Sequence, residues 1–490
     1  MILARVCCRS AAFFGALLSF ATDAVHASDA PGLAGHWRGE VGSELERVAV
    51  GVALTPDGEG GLTVHLTLPM ANFDGVPAGS ARVEGDVLVN PRLAMALALR
   101  DGQLVGTLMS ADSQDVLERS DVPPPLEMLP EVSPMSPPRW TTRLNGQVFA
   151  SPVVADGIVY IGSTGGVFHA VDGRDGRMVW AVGVGYPMFG AARVDGDTAY
   201  VVSDGGFLHA LARDDGRERW RQALDGGRRQ RVLPHPAVFD WDWHSPQPVL
   251  AGELVIVGGA DGLLHAVDAA SGELRWRFAA AGPIRHGAAV DQGRVYVASE
   301  NGYVHALDLQ DGREHWRHRL GAKPGAGLVV HDGRVFVSGR DARLHALAAG
   351  TGEPLWRLGF WSSWVESAPV VADGVLYVGS SDLRRISAID PASGRVHWRS
   401  AVHGWSWGTP LVMDRHLVVG TAAGAPYFLT HGAGLSVLDR RTGALAAHLP
   451  LPDGGGHQWG IAGNVVTAGG MLVAALIDGA LIGVDPVEGH

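Results

Sequence analysis

The sequence has little cysteine and little lysine. Its 490 residues contain two cysteines, Cys7 and Cys8, and one lysine, Lys323. Both cysteines precede an apolar N-terminal stretch, so the rest of the chain has none for disulfides, thiolate chemistry, Cys-liganded zinc, iron–sulfur clusters or covalently attached haem. These classes of protein are therefore excluded.

Basic runs and long apolar runs are also missing. The net charge is -12, and no stretch offers the basic face that phosphate binding requires, so we predict no nucleic-acid partner. No segment approaches the roughly 20 apolar residues that cross a bilayer, so we predict no transmembrane segment. By contrast, 68 glycines against 18% charged residues indicate many tight turns between short strands, as in an all-β protein.

The first 27 residues have the order of a secretory signal. Arg5 and Arg9 give a positive start, residues 11–21 are apolar, and Ala27 ends a short segment of the kind that signal peptidase cleaves. We therefore predict a signal peptide over residues 1–27, cleaved after Ala27. The mature protein is predicted to be periplasmic or secreted.

Seven prolines between residues 121 and 138 separate two regions. Because proline removes backbone donors, we predict an extended linker over 121–137.

Upstream, residues 35–120 alternate apolar and polar positions around turn pairs such as Asp57-Gly58 and Asp101-Gly102, which predicts a small antiparallel β domain. Its opening, Gly-His-Trp-Arg-Gly at residues 35–39, resembles a β-barrel-like domain of secreted bacterial proteins. No Ser-x-x-Lys or Gly-x-Ser-x-Gly motif accompanies it, so no hydrolase activity is predicted.

Downstream, the chain repeats a unit of Asp, Gly and Trp spaced by four residues. The period is near 40 residues and each unit contains four short strands, which is typical of a β-propeller. The last unit lacks its fourth strand, whereas Trp140 stands 40 residues before Trp180 without earlier strands of its own. We therefore predict an eight-bladed propeller over 138–490, closed by the strand at Trp140 so that no edge stays unpaired. Full copies are Asp172-Gly176-Trp180, Asp268-Gly272-Trp276, Asp308-Gly312-Trp316 and Asp390-Gly394-Trp398.

This repeat resembles the eight-bladed propellers of the pyrroloquinoline-quinone (PQQ) repeat superfamily over the whole of 138–490. That superfamily includes quinoprotein dehydrogenases and also cofactor-free binding propellers, such as the lipoprotein of the outer-membrane β-barrel assembly machinery. The alcohol-oxidising members have an adjacent cysteine pair and a calcium site formed by Glu, Asn and Asp. Only Glu366 matches those ligands by type, so the resemblance implies a non-catalytic binding propeller rather than an alcohol dehydrogenase.

In a symmetric repeat, a residue that every blade needs for its structure recurs at the same position in each blade. A residue that binds a ligand usually does not recur. Tryptophan recurs in the fourth strand, and histidine recurs at His169, His209, His265, His305 and His345. We predict packing between blades for the tryptophans and no metal site for the histidines.

The residues that do not recur lie in the loops that lead into the first strand of each blade. In a propeller the first strand lines the central channel, so these loops surround one mouth of that channel. Aromatic faces with a few polar groups are typical of a ligand pocket, although the same aromatics would also serve to fill the channel as core. The predicted ligand-binding residues are Phe149, Phe189, Trp243, His244, Arg285, His286, Lys323, Trp364, Glu366, Trp405, Trp407, His457 and Trp459.

The sequence thus predicts an exported, monomeric propeller that binds a protein or carbohydrate ligand at the channel mouth, with no catalytic residue, metal or cofactor. One alternative is a PQQ-dependent dehydrogenase that oxidises an alcohol or sugar with calcium, since Arg and Lys at the mouth suit a tricarboxylate quinone. A second is a scaffold in outer-membrane protein assembly.

Overall fold

The computed structural model describes residues 32–487, except positions 44–45, 59–60, 72, 110–113, 127–128, 225–242, 362, 426–430 and 454–456. The predicted signal peptide at residues 1–27 lies outside the described residues. So does most of the sequence that lengthens the third repeat. Trp243 and His244, which follow that insertion, are described.

The chain forms two compact units, one ending at Leu129 and the other beginning at Pro130. The boundary falls within the proline-rich segment, where backbone donors are scarce. Over the described part of the chain, no helix is long and apolar enough to cross a membrane.

The first unit contains a closed antiparallel barrel in which neighbouring strands in sequence are paired. Burial alternates along part of the strands, as over the first four residues of Asp115–Arg119, so that successive side chains point alternately into the barrel and to solvent. The predicted small β-barrel-like domain is therefore confirmed. Its strands are β1 (Gly35–Ser43), β2 (Glu46–Pro56), β3 (Leu62–Leu68), β4 (Phe73–Glu84), β5 (Val87–Asn90), β6 (Met95–Arg100), β7 (Gln103–Thr107) and β8 (Asp115–Arg119).

Asp115 stabilises the closure of this barrel, where β8 pairs with β1. Its buried carboxylate accepts hydrogen bonds from the backbone N–H groups of Gly42 (3.2 Å) and Leu108 (2.9 Å) and contacts Arg47. Three strands are thereby joined through one side chain. Because a buried carboxylate is costly unless hydrogen-bonded, this network makes the closed arrangement specific.

The second unit is a propeller of eight sheets among the described residues, and seven of them follow one another along the chain. Two short strands, β9 (Ser133–Pro134) and β10 (Trp140–Arg143), precede the first complete blade. Blade 1 consists of β11 (Val153–Ala155), β12 (Ile158–Gly162), β13 (Val167–Asp172) and β14 (Met178–Gly183); blade 2 of β15 (Arg193–Asp195), β16 (Thr198–Ser203), β17 (Phe207–Ala212) and β18 (Glu218–Ala223); blade 3 of β19 (Val249–Ala251), β20 (Leu254–Gly258), β21 (Leu263–Asp268) and β22 (Leu274–Ala279); blade 4 of β23 (Ala289–Asp291), β24 (Arg294–Ser299), β25 (Tyr303–Asp308) and β26 (Glu314–Arg319).

The later blades differ more from one another in the length and number of their strands. Blade 5 consists of β27 (Val329–His331), β28 (Arg334–Gly339), β29 (Arg343–Ala348) and β30 (Pro354–Gly359); blade 6 of β31 (Val370–Ala372), β32 (Val375–Gly379), β33 (Arg385–Ile389) and β34 (Val396–Ala401); blade 7 of β35 (Leu411–Val412), β36 (His416–Gly424), β37 (Ala433–Asp439) and β38 (Leu445–Leu451), joined by β39 (Gln458–Gly460); blade 8 of β40 (Val466–Ala468), β41 (Met471–Ala475) and β42 (Ala480–Val484). In blade 7, β9 pairs with the outer strand β38, and β39 pairs with β36.

The predicted ring closure is confirmed. Strand β10 pairs antiparallel with β42, with Trp140 opposite Gly483, and so becomes the fourth strand of blade 8. First strands of neighbouring blades contact each other, including β11 with β15 and with β40. The beginning of the propeller is thus held to its end by backbone hydrogen bonds, which leaves no open side in the ring.

The repeated tryptophans pack between blades, as predicted. In blade 1 the Trp180 Nε1–H donates to the Arg213 carbonyl of blade 2 (3.0 Å), and its ring covers Gly216 there. That glycine has a positive φ of 75° and ends a turn that begins at the repeat's Asp position. The same hydrogen bond, at 3.0–3.2 Å, recurs from Trp220, Trp276, Trp316 and Trp356 to the following blade.

The repeated histidines lie on third strands and bond within their own blades. His209 contacts Ser203 (2.9 Å) and Glu218 (2.8 Å), and His305 contacts Glu314 (2.7 Å). Between blades, the second and third strands pack into separate buried apolar clusters, such as that of Tyr160 and Phe168 with Val201. Side chains of the second and third strands therefore form the core between blades. The loops at the ends of the blades do not belong to this core and surround the channel.

Candidate functional site

Two kinds of loop meet at one end of the channel, here called the mouth. Successive strands run antiparallel, so the loop into the first strand and the turn between the second and third strands lie at the same end of a blade. The residue four positions before the first strand occupies an equivalent place in each blade. In order these residues are Phe149, Phe189, Ser245, Arg285, Gly325, Glu366, Trp407 and Ala462, which we call the channel ring.

One side of the channel ring is aromatic. Phe149, Phe189, Trp243, Trp405 and Trp407 form a single buried cluster with Ala462. The centroid of the Phe149 ring lies 5.7 Å from that of Phe189 and 5.9 Å from that of Trp243, and Trp243 lies 5.6 Å from Trp407. The structure therefore brings five predicted aromatics together, and their rings pack on one another.

The two indoles of blade 7 are stacked and anchored. Trp405 and Trp407 have ring centroids 5.1 Å apart and an interplanar angle of 13°. Their Nε1–H groups donate to Asp382 (3.1 Å) and to the Ser381 hydroxyl (3.3 Å), both in a turn of blade 6. With 1% and 3% of their surfaces exposed, these two residues belong to the interior of the channel.

The other side of the channel ring carries charge. Glu366 is buried, and its Oε1 accepts a hydrogen bond from Arg340 Nε (2.9 Å) and lies 2.9 Å from Arg340 Nη2 in an ion pair. The Arg340 guanidinium also lies 4.6 Å from the ring centroid of Trp364. Burial raises the pKa of Glu366, and the neighbouring Arg340 opposes that rise. An ion pair thus holds blade 5 to blade 6 at the mouth.

A second group of charges lies nearer to solvent. Glu300 Oε2 is 3.8 Å from Arg285 Nε and 3.7 Å from Lys323 Nζ. The Lys323 side chain is 40% exposed, whereas Arg285 is 16% exposed. This acid and its two bases link blades 4 and 5 and leave a positive rim at the mouth.

Two histidines connect the aromatic side with the charged side. The His244 ring lies 4.2 Å from Trp243 and 4.7 Å from His286, measured between centroids. His286 is buried, and burial, together with the charges of Arg340 and Arg285, lowers its pKa to about 3. It is therefore a neutral imidazole at physiological pH.

The last two predicted residues accompany blade 7. Trp459 lies on β39 opposite Ala423 of β36, and is partly buried. His457 is exposed, and its carbonyl accepts the N–H of Ala425 (3.0 Å). They lie beside Gly424, whose closest neighbours include the ring of Trp405.

Sequence analysis missed the residues in the turns between second and third strands. Arg340, Glu300 and Asp382 come from these turns in blades 5, 4 and 6, and each contacts a predicted mouth residue. A signal was present, because this turn is Thr-Gly-Gly at residues 164–166 but Arg-Asp-Ala at 340–342. This turn lies at the same end of the blade as the predicted loops. Its residues that do not recur were therefore also candidates for the mouth.

The fold and the mouth define a closed eight-bladed propeller of PQQ-like repeats with a packed aromatic channel. A family model described as "Outer membrane protein assembly factor BamB" matches residues 137–233, 231–319 and 300–476. These matches cover more than half of the sequence, so the chain belongs to this family.

Solved structures agree on the fold. The structure of BamB from Moraxella catarrhalis has 19% identity and a TM-score of 0.54, covering 72% of this chain and 98% of that one. Quinohemoprotein alcohol dehydrogenase from Comamonas testosteroni has 15% identity and a TM-score of 0.56, covering 72% of this chain and 78% of that one. The computationally designed Ika8 protein has 16% identity and a TM-score of 0.55, covering 70% and 98%. Comparison with curated proteins gave no match.

Proposed function

We propose that this protein is a non-catalytic scaffold that acts in outer-membrane protein assembly and binds a protein partner at the channel mouth. The family match over residues 137–476 is the observation that carries the proposal. The mouth supports it, because its loops differ from blade to blade while the blades themselves repeat. With a signal peptide cleaved after Ala27, the protein would work in the periplasm.

The mouth does not fit PQQ with calcium. A quinone held in the channel needs an open aromatic face, whereas the indoles of Trp243, Trp405 and Trp407 lie against each other at centroid distances of 5.1–5.6 Å. Glu366, the one residue matched by type to a calcium ligand, has Oε1 engaged by Arg340. No three His, Asp or Glu side chains among the described residues come together as metal ligands.

Site-specific photo-crosslinking tests the proposed function. A photoreactive amino acid replaces Lys323 at the mouth of blade 5, and the full chain is expressed in a Gram-negative host. The expected crosslinked partners, identified by mass spectrometry, are outer-membrane proteins or components of their assembly machinery. The matched control places the same amino acid at Asp332, whose side chain is 79% exposed in the turn at the opposite end of the same blade.

Two results would contradict the proposal. One is equal crosslinking from positions 323 and 332, which would show no preference for the mouth. The other is reduction of an artificial electron acceptor by purified protein given PQQ, calcium and a panel of alcohols and sugars. That activity would instead establish the dehydrogenase alternative.

A further inference from the structure

A cavity of about 410 Å³ lies between blades 1 and 2, at the end of the propeller opposite the mouth. We call it the inter-blade cavity. Ligand pockets range from roughly 300 to 1,000 Å³, so this cavity has room for a bound group. Blade 1 contributes an apolar wall that includes Ile158, Tyr160 and Trp180. Blade 2 contributes a charged wall that includes Asp197, Arg213, Asp214 and Arg219.

The repeat shows what fills the equivalent place between two other blades. The first residue of the second strand is Ile158 in blade 1 and Arg294 in blade 4. The Arg294 guanidinium crosses to blade 5 and donates to the carbonyls of Ala349 and Gly350, each at 3.2 Å. Blade 4 therefore places its own guanidinium where blade 1 has a shorter, apolar residue beside a cavity.

The carbonyls that accept from Arg294 have counterparts at the inter-blade cavity. Arg213 and Asp214 occupy in blade 2 the positions of Ala349 and Gly350 in blade 5, directly after the Asp position of the repeat. The carbonyls of Arg213 and Ala349 each accept the Nε1–H of the preceding blade's tryptophan at 3.0 Å. The two places thus have the same backbone arrangement, and both suit a guanidinium.

The charges around the inter-blade cavity leave one acid unpaired. Arg219 forms a two-point ion pair with Asp197, from Nη1 to Oδ1 (2.9 Å) and from Nη2 to Oδ2 (2.7 Å). Arg213 pairs with Asp156. Asp214 is exposed and forms no ion pair with a residue that the structure describes, and no other copy of the repeat has an acid at this position. A cation would complete the charge balance, whereas an anion would meet the Asp214 carboxylate.

Arginine suits these groups better than lysine. A guanidinium has five N–H donors in one plane, so it can bond to two neighbouring carbonyls and a carboxylate together. Its aliphatic stem packs on apolar surface. The wall that contains Ile158 and Trp180 provides such a surface.

We propose that the inter-blade cavity binds an arginine side chain of a partner polypeptide. The guanidinium of that arginine bonds to the carbonyls of Arg213 and Asp214 and to the Asp214 carboxylate. A polypeptide is favoured over a free guanidino compound because the cavity lies beside the outer strand β14, whose Val179 is 41% exposed and offers the partner's backbone further contact. This inference goes beyond the proposed function, because it adds a second partner surface at the end opposite the mouth.

Subtractive peptide selection on the purified protein tests the proposal. A displayed dodecapeptide library is first absorbed with the Ile158→Arg variant, whose new guanidinium imitates Arg294 and occupies the cavity, and is then selected on the natural protein. We expect enriched peptides with arginine next to apolar residues. In calorimetric titrations, Ile158→Arg should weaken their binding at least tenfold. Asp214→Asn should weaken it about twofold to fivefold, as expected for the loss of one exposed ion pair.

Two matched controls make the same chemical changes outside the cavity. Leu254→Arg introduces arginine at the same repeat position in blade 3. Asp215→Asn removes a neighbouring carboxylate that is 56% exposed and does not line the cavity. Both variants should leave peptide affinity unchanged.

A change in the peptide keeps the test independent of any one variant's folding. Citrulline in place of the peptide's arginine keeps the shape of the side chain but removes its charge, and should weaken binding about tenfold. Melting temperatures show which variants are folded. If Ile158→Arg is not folded, the library is selected directly, and the citrulline exchange and the comparison of Asp214→Asn with Asp215→Asn decide.

Several results would overturn the proposal. They are no enrichment, enriched peptides without arginine, equal binding of the citrulline peptide, and equal losses in Asp214→Asn and Asp215→Asn. Equally tight binding of N-acetylarginine amide would instead assign the cavity to a small guanidino compound. Crosslinks from position 323 should persist in Ile158→Arg. If those crosslinks are absent while peptides bind the cavity, the proposed function fails and this inference stands; the reverse result rejects this inference alone.

Discussion

The indole of Trp140 covers Gly176, and a β-carbon built on Gly176 would lie 2.5 Å from the Trp140 ring. Trp140 belongs to the strand that closes blade 8, whereas Gly176 belongs to blade 1. The contact therefore repeats, at the point of ring closure, the arrangement in which each blade's tryptophan covers the next blade's glycine. Trp180 over Gly216 is the same contact one blade further on.

Gly176→Ala should destabilise the propeller through two effects. The residue has a φ of 74°, which strains any side chain, and the added methyl group would collide with Trp140. Together we expect a loss of about 2–4 kcal/mol in the free energy of unfolding. Gly157→Ala is the control, since Gly157 has a φ of 77° and open space around it, so only the strain of about 1 kcal/mol applies. Equal losses in denaturant titrations would show that the Trp140 contact does not matter.

Arg340→Met should be strongly destabilising, because it leaves the Glu366 carboxylate buried without its counter-charge. Breaking a buried ion pair from one side typically costs about 3–5 kcal/mol. The double variant Arg340→Met/Glu366→Met should recover much of that loss, since an apolar pair has no charge to desolvate. Thermal unfolding of both single variants and the double variant measures the coupling. Additive losses would mean that the two side chains act independently.

Trp405→Ala should reduce stability, because its side chain is buried against Trp407. We expect a loss of about 3–5 kcal/mol, as for other buried tryptophans. Lys323→Ala, at the exposed rim, should change stability by less than about 0.5 kcal/mol. A stable, well-folded Trp405→Ala protein would show that the channel aromatics are not core, and would return them to the list of ligand-binding candidates.

Acid should weaken the propeller partly through His448. Burial, with the charge of nearby His403, lowers the pKa of His448 to about 4, and the two rings stack with centroids 3.5 Å apart. The unfolded chain therefore binds the proton more readily than the folded chain. The contribution of neutral His448 to the free energy of unfolding is fully present above about pH 6.5. As the pH falls towards 4, this contribution is lost, and the free energy of unfolding decreases by up to roughly 3 kcal/mol.

Melting temperatures between pH 7.5 and 4 measure this effect, with His448→Asn as the comparison. The variant keeps a polar atom for the Ser436 hydroxyl, which lies 3.1 Å from His448 Nδ1, but does not titrate. Its melting temperature should fall less on acidification than that of the natural protein. Parallel pH profiles would assign the acid sensitivity to other buried histidines, such as His286 or His431.

Much of the mouth was predictable from the sequence. Five members of the channel ring (Phe149, Phe189, Arg285, Glu366 and Trp407) stood out because they did not recur. The burial of Trp407 and the pairing of Glu366 with Arg340 were not predictable. Glu366 and Arg340 are 26 positions apart in neighbouring blades, and only the ring places them together.

The number of blades, the closing strand and the inter-blade tryptophans were determined by the sequence itself. Each depends on contacts that repeat with a fixed period, so a linear pattern carries them. The division of the mouth into an aromatic side and a charged side was decided by tertiary structure. It depends on unrepeated side chains from different blades, which meet only after backbone pairing of β10 with β42 has closed the ring.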